Sequence, residues 1–440
     1  MGRNVPVSSC SGVLFAALLA TCTLTLVSCK KSGDEDPRET STVAETTTET
    51  GWTPSGPIAS STPDTEPSKT EEKRCGLPAA DSSADVTEVG DADLIFGQTV
   101  RATRSYRVVD GRLYDRGEAF TLKGINWFGL DTADLAPHGL WSGYSRRDYL
   151  RRIVDLKFNA IRLPLSPEAI EQGNMSALWS HEAGVTTGRE HLERFLAEAE
   201  EMGLYVLLDV HSCSAYAGSD VGDPFSCPGY DEARWLDNLG SLAALAYEYP
   251  NVVGIDLFNE PHELTWSDWR QLVAAAAERV LSINPHILVF VEGVGRESYA
   301  GGYQTFWGEN LCLAGRQPVA VPPRRLVYSP HVYGPSVAWH SYFEPPGFPG
   351  SLRPVWEKRF GYLVDGEPAL AIGEFGAPHE GDNALWQMTF VNYLLDRDIQ
   401  HFFYWGLNPN SEDTGGLLLD DWWTLDEEKY NAILPLLERS

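Results

Sequence analysis

Eight short apolar runs, with amphipathic stretches between most of them, constrain this chain more than any other feature of its 440 residues. The runs fall at 122–127, 160–164, 205–209, 252–258, 287–291, 326–331, 370–374 and 402–405. Each is strand-length, and nearly continuous apolar character marks a strand covered on both faces, as in a parallel sheet. The segments 147–156, 191–202, 234–249, 266–283 and 383–395 instead repeat apolar residues with helical period. In the first of them Tyr149, Leu150, Ile153 and Leu156 share one face. Alternation of this kind predicts an α/β fold. Eight units close more naturally as a (β/α)8 TIM barrel than as an open doubly wound sheet, and no glycine-rich phosphate loop follows the first strand. Ahead of the first unit, 106–114 reads as an N-terminal β-hairpin turning at Asp110-Gly111 and expected to close the bottom of the barrel.

Upstream the composition changes twice. Residues 1–29 read as a lipoprotein-type signal peptide. Arg3 precedes an apolar stretch over 13–27 that is short and threonine-rich for a membrane span. The stretch ends on Leu26-Val27-Ser28-Cys29, similar to a lipobox, in which Cys29 takes the lipid; an ordinary signal peptide cut nearby is the other reading. Residues 30–98 are rich in Ser, Thr, Glu, Asp and Pro, with Trp52 as their one tryptophan. Such a segment has little apolar surface to bury and is expected to be a disordered linker, a spacer holding a folded domain over 99–440 away from a surface. The chain is then expected to be exported, as a cell-surface or periplasmic lipoprotein or in secreted form.

Acidic residues outnumber basic ones by 62 to 34, for a net charge of −28. That excess argues against nucleic acid and against anionic membrane surfaces, leaving a lipid anchor as the one membrane contact, and it is compatible with a neutral polymer. Of seven cysteines, Cys213 and Cys227 bracket 13 residues, and the export context makes their pairing the first expectation. Cys75–Cys312 is a weaker pairing, and free thiols are the alternative to both.

Polar residues gather at the C-terminal ends of the predicted strands, the end where barrel sites are built. Arg162 ends the second, His211 follows the third, and Asn259 and Glu260 follow the fourth. His331 and Tyr333 follow the sixth, Glu374 the seventh, and Trp405 ends the eighth. Singly, each has an ordinary structural reading: Arg162 as a cap on barrel carbonyls, His331 or Trp405 as core. Together they describe a site with two carboxylates facing each other. The two histidines lack the close spacing of a metal pair, and no cofactor is expected.

The strings Gly124-Ile125-Asn126-Trp127-Phe128-Gly129, His138-Gly139-Leu140-Trp141, Asn159-Ala160-Ile161-Arg162-Leu163-Pro164, Asn259-Glu260-Pro261-His262, Ser329-Pro330-His331-Val332-Tyr333 and Gly373-Glu374-Phe375-Gly376 carry a resemblance. Over about 106–437 the chain resembles glycoside hydrolase family 5, the cellulase A family, in its bacterial secreted endoglucanase branch. The resemblance implies a retaining endo-β-1,4-glucanase with Glu374 as nucleophile and Glu260 as acid/base. It implies that Arg162 and Tyr333 hold Glu374 charged, that Asn259 contacts the hydroxyl beside the anomeric carbon, and that His211 and His331 bind sugar hydroxyls or orient the glutamates. Trp405 would floor the subsite on the nonreducing side of the cut, with Trp141 and Trp307 at more distant subsites. A monomer acting on β-glucan is expected. The segment between Cys213 and Cys227 departs from many relatives, and Asp131-Thr132-Ala133 lacks a cysteine often found in this branch. Other β-glycans, such as mannan or mixed-linkage β-glucan, remain open as substrates, as does a lipoprotein that binds glycan without cutting it.

Overall fold

The computed structural model describes residues 104–171, 184–217, 222–295 and 305–439. The signal, the spacer, Cys29 and Cys75 lie outside the described residues. Three short strands come first: β1 (Tyr106–Val109), β2 (Arg112–Asp115) and β3 (Glu118–Phe120), paired antiparallel in that order. Asp110 and Gly111 take the left-handed conformation at φ 48° and 71°, which suits the twist of a two-residue hairpin turn. The pair Arg116-Gly117 repeats this at φ 50° and 92°, so the expected hairpin is the first half of a three-stranded meander.

The barrel is built from β4 (Lys123–Asn126), β5 (Ala160–Leu165), β6 (Tyr205–Val210), β7 (Val252–Asp256), β8 (Leu288–Val291), β9 (Leu326–Tyr328), β10 (His331–Tyr333), β11 (Ala369–Gly376) and β12 (His401–Tyr404). Every pairing among them is parallel, and β11 pairs with both β9 and β10, which closes the ring. The strand predicted at 326–331 is therefore β9 and β10 together, divided at Ser329-Pro330. Proline has no N–H to give a ladder, but its carbonyl still accepts from Gly373 N at 3.1 Å. Eight barrel positions result.

Helices form where the apolar period was read: Arg146–Asp155, Gly188–Glu201, Glu232–Glu248, Trp266–Ile283 and Gly381–Asp396. Ser145, Thr187 and Thr265 open three of them with reciprocal capping boxes, which fixes their starts. Their apolar faces, with Leu150, Phe195, Trp235, Trp269 and Trp386 fully buried, pack against the outside of the strands. A separate core fills the N-terminal end of the barrel. Tyr106, Val108 and Leu113 of the meander insert there among Leu207, Leu288, Phe290 and Phe403. Gly124 leaves the space that the Phe403 ring occupies, since a Cβ there would sit 2.1 Å from Phe403 Cδ1. With the bottom filled, open space remains at the C-terminal ends of the strands.

Candidate active site

Arg162 organises this end of the barrel. It sits in β5 with no exposed surface and reaches acids from four other strand ends. Its Nη2 lies 3.1 Å from Asp209 Oδ1 and 3.1 Å from Glu292 Oε1, its Nε donates to Asp256 Oδ2 at 3.2 Å, and its Nη1 donates to Glu374 Oε1. Nη1 also donates to Asn126 Oδ1 at 3.2 Å and Nη2 to Asn259 Oδ1 at 3.0 Å. Burial works against its charge, but the surrounding carboxylates keep the guanidinium protonated well above its ordinary range. A buried cation persists only with such partners.

Glu374 lies in β11, 2 % exposed. Its second oxygen accepts from the Tyr333 hydroxyl, on the neighbouring β10. Glu260 follows β7 with its side chain 13 % exposed, and its Oε1 lies 3.0 Å from His331 Nδ1. A carboxylate oxygen of Glu260, one of Glu374 and a ring nitrogen of His331 all fall within 4.8 Å of one another. Glu260 has φ 50°, a conformation unusual for any residue but glycine. Its N–H donates to Glu292 Oε2 at 2.8 Å, and its carbonyl lies 2.7 Å from His262 Nδ1.

The environment separates the two facing acids. Burial raises Glu374 above the ordinary carboxylate range, while Arg162, His211 and the Tyr333 hydroxyl pull it back. Burial, reinforced by the charge of Glu374, drives Glu260 much further up, with Arg162 opposing only in part. The proton of the pair therefore rests on Glu260. Burial, then Arg162 and His211, hold His331 well below its ordinary value, so its ring is neutral. Burial opposes charge on His211 too, but Asp209, 2.6 Å from its Nδ1, outweighs that and raises it.

These groups open into a cavity of about 940 Å³ lined by His211, Asn259, Glu260, Tyr333, Glu374 and Trp405, among others. The Trp405 ring lies nearly parallel to those of Phe128 (5.5 Å, 11°) and His211 (5.7 Å, 5°), and its Nε1 donates to Ser411 Oγ. Trp307 lines the cavity with its ring laid on His262 at 3.8 Å and 7°. Trp141 does not line it. Its ring packs against His138 and Trp422, 5.2 and 4.9 Å between centroids, so the expected subsite at Trp141 is not part of this cavity. Cys213 and Cys227 are joined as a disulfide with Cα atoms 5.7 Å apart, and Ser212 and Ala215 beside it border the cavity. Cys312 is also disulfide-bonded.

Asp209, Asp256, Glu292 and Trp339 belong to this site and were not singled out in the sequence. Glu292 carried the signal that marked Glu260 and Glu374, an acid directly after an apolar run. Trp339 is 58 % exposed on the cavity wall. Asp256, Glu292 and His331 bring ligand atoms within 4.8 Å of one another, as a metal site would, but Arg162 already contacts both carboxylates and supplies the positive charge.

A family model described as cellulase (glycosyl hydrolase family 5) matches residues 115–411. The major extracellular endoglucanase of Xanthomonas campestris pv. campestris is 37% identical over 349 residues, covering 76% of this chain and 70% of that one. An endoglucanase of Paenibacillus polymyxa is 34% identical over 347 residues, covering 75% of this chain and 85% of that one. The solved structure of a hyperthermophilic endocellulase from the archaeon Pyrococcus horikoshii matches with a TM-score of 0.72 at 33% identity, over 76% of this chain and 99% of that one. A variant of that endocellulase is solved in complex with cellotetraose, with a TM-score of 0.72 at 32% identity, over 77% of this chain and 100% of that one. By family match and by relatives that span most of both chains, this chain belongs to the cellulase family, glycosyl hydrolase family 5, and is a glycoside hydrolase.

Proposed function

We propose that this chain is a retaining endo-β-1,4-glucanase, with Glu374 as nucleophile and Glu260 as acid/base. One observation carries the reading: one carboxyl oxygen of Glu260 and one of Glu374 lie within 4.8 Å of each other. Retaining pairs stand about 5–5.5 Å apart, whereas inverting pairs leave about 6.5–9.5 Å for a water. In the first step a Glu374 oxygen bonds to the anomeric carbon, the glycosidic C–O bond breaks, and the Glu260 proton goes to the departing oxygen. That step neutralises Glu374, so Glu260 is then left beside an ester and can stay ionised. In the second step Glu260 takes a proton from water, the water oxygen bonds to the anomeric carbon, and Glu374 leaves as carboxylate.

Asn259 Oδ1 accepts from Arg162 Nη2, which leaves the amide N–H groups to donate to the sugar hydroxyl next to the reacting carbon. The Trp405 ring, lying nearly parallel to Phe128 and His211 on the cavity wall, offers a face for a pyranose. The endoglucanase relatives and the cellotetraose complex support a β-glucan substrate. Export through residues 1–29, anchoring at Cys29 and a spacer over 30–98 complete the proposal, in line with the extracellular relative. Among the described residues no helix is long and apolar enough to cross a membrane.

The test is reducing-end release from carboxymethylcellulose, barley glucan, mannan and xylan, with NMR of the first-formed anomer. Cleavage of the first two with retained configuration is expected. Activity on mannan alone would remove the glucanase assignment and keep the mechanism; an inverted first product would remove the mechanism.

A further inference from the structure

Glu292, at the tip of β8, is fully buried and has no place in the two chemical steps. Both of its oxygens are nevertheless engaged around Glu260. Oε2 accepts the Glu260 N–H at 2.8 Å. Oε1 accepts from Arg162 Nη2 at 3.1 Å and lies 3.2 Å from His331 Nε2, a close contact rather than an aligned hydrogen bond. The other ring nitrogen of His331 is 3.0 Å from Glu260 Oε1. Glu292 thus meets the same residue twice, at its main chain and, through one imidazole, at its carboxyl. Space for this is specific: Gly308 has φ 73°, and a Cβ on it would come 2.3 Å from Glu292 Oε2 and 3.3 Å from His331 Cγ. The residue being held needs holding, because φ 50° at a glutamate is a conformation that persists only where surroundings over-determine it.

We propose that Glu292 is a positioning residue for the acid/base step: it fixes the strained main chain of Glu260 and, through His331, the direction of its carboxyl. The proposal rests on the reading of Glu260 as acid/base. Glu292 touches no substrate; it sets where the transferred proton sits. Displacement of a reacting group by about 1 Å costs on the order of 100-fold in rate. Loss of Glu292 therefore slows only the reactions that need that proton.

The test compares kcat for two substrates of one enzyme: cellotetraose, whose leaving group needs protonation, and 2,4-dinitrophenyl β-cellobioside, whose leaving group does not. Glycosylation rates are read in single turnover. Glu292→Ala is expected to lose about 100-fold on cellotetraose and less than about 5-fold on the aryl substrate. Glu292→Gln retains an oxygen for the Glu260 N–H and is expected to recover at least about tenfold of the loss. Gly308→Ala, which pushes on Glu292 from outside, is expected to show the same unequal loss and carries the comparison should Glu292→Ala not fold. Equal losses on both substrates, or no loss on either, overturn the proposal. Glu260→Ala run alongside separates the two levels: if it fails to spare the aryl substrate, the acid/base reading itself is wrong, whereas if it spares that substrate and Glu292→Ala does not, only the positioning role is.

Discussion

Replacing Asp256 with Asn gives a stability change whose size and sign both follow from the barrel interior. Asp256 is fully buried in β7, with one oxygen on Arg162 Nε and the other accepting no hydrogen bond among the described residues. Burial raises it from an ordinary 3.8 to about 7, the Arg162 charge opposing and Asp209 adding. A carboxyl whose folded value lies above its unfolded value stabilises the fold fully below about pH 3.8, and that contribution is lost as pH rises through about 7. The interval between 3.8 and about 7, at about 1.4 kcal/mol per pH unit, amounts to about 4 kcal/mol. Asparagine cannot ionise and escapes the loss. Removing the Asp256 charge also relieves Glu292, which that charge helps to raise, so the neighbour acts in the same direction. Equilibrium urea unfolding of both proteins at pH 4, 6 and 8, followed by tryptophan fluorescence, measures the difference. Asp256→Asn should gain about 4 kcal/mol on the native protein between pH 4 and pH 8. A constant offset across that range, or a gap that widens toward acid, refutes the reasoning.

Other outcomes follow from the same geometry. Glu374→Ala should abolish turnover of every substrate. On cellotetraose the native pH–rate profile should fall on the alkaline side as Glu260 loses its proton, whereas the glycosylation rate of 2,4-dinitrophenyl β-cellobioside should show no such fall; its acid limb, where Glu374 takes up a proton, should remain in Glu260→Ala. Replacing Cys213 and Cys227 together by Ser opens a link spanning 14 positions and should cost about 3 kcal/mol in urea unfolding. Gly124→Ala drives a methyl into the Phe403 ring and should cost about 1–3 kcal/mol, with kcat nearly unchanged, because this contact lies at the end of the barrel away from the cavity.

Much of the architecture was legible because a strand covered on both faces must be apolar along its length, and that signature is local. The five helices could be read for a similar reason, their one buried face recurring at fixed spacing. The helix Leu352–Arg359 was not, since Pro354 and four charged residues leave it little apolar face. Strand β3 went unread because Glu118 and Ala119 are exposed, and only the Arg116-Gly117 turn marks it. At the site, residues at strand tips were visible as polar breaks after apolar runs. Asp209 and Asp256 were not, because each sits inside such a run, and what turns it toward Arg162 is the alternation of side chains along a closed barrel. Trp141 was placed by resemblance alone. Nothing local distinguishes a tryptophan that walls a cavity from one that leans on Trp422 beside it.

The meander seated in the N-terminal mouth of the barrel fixes where the polypeptide enters the folded body. Tyr106 is anchored there by its own N–H on the His286 carbonyl and by its hydroxyl on the Pro250 carbonyl, at the end away from Glu260 and Glu374. The main chain at residue 104 therefore enters the folded body at the rear of the barrel, on the side away from the cavity.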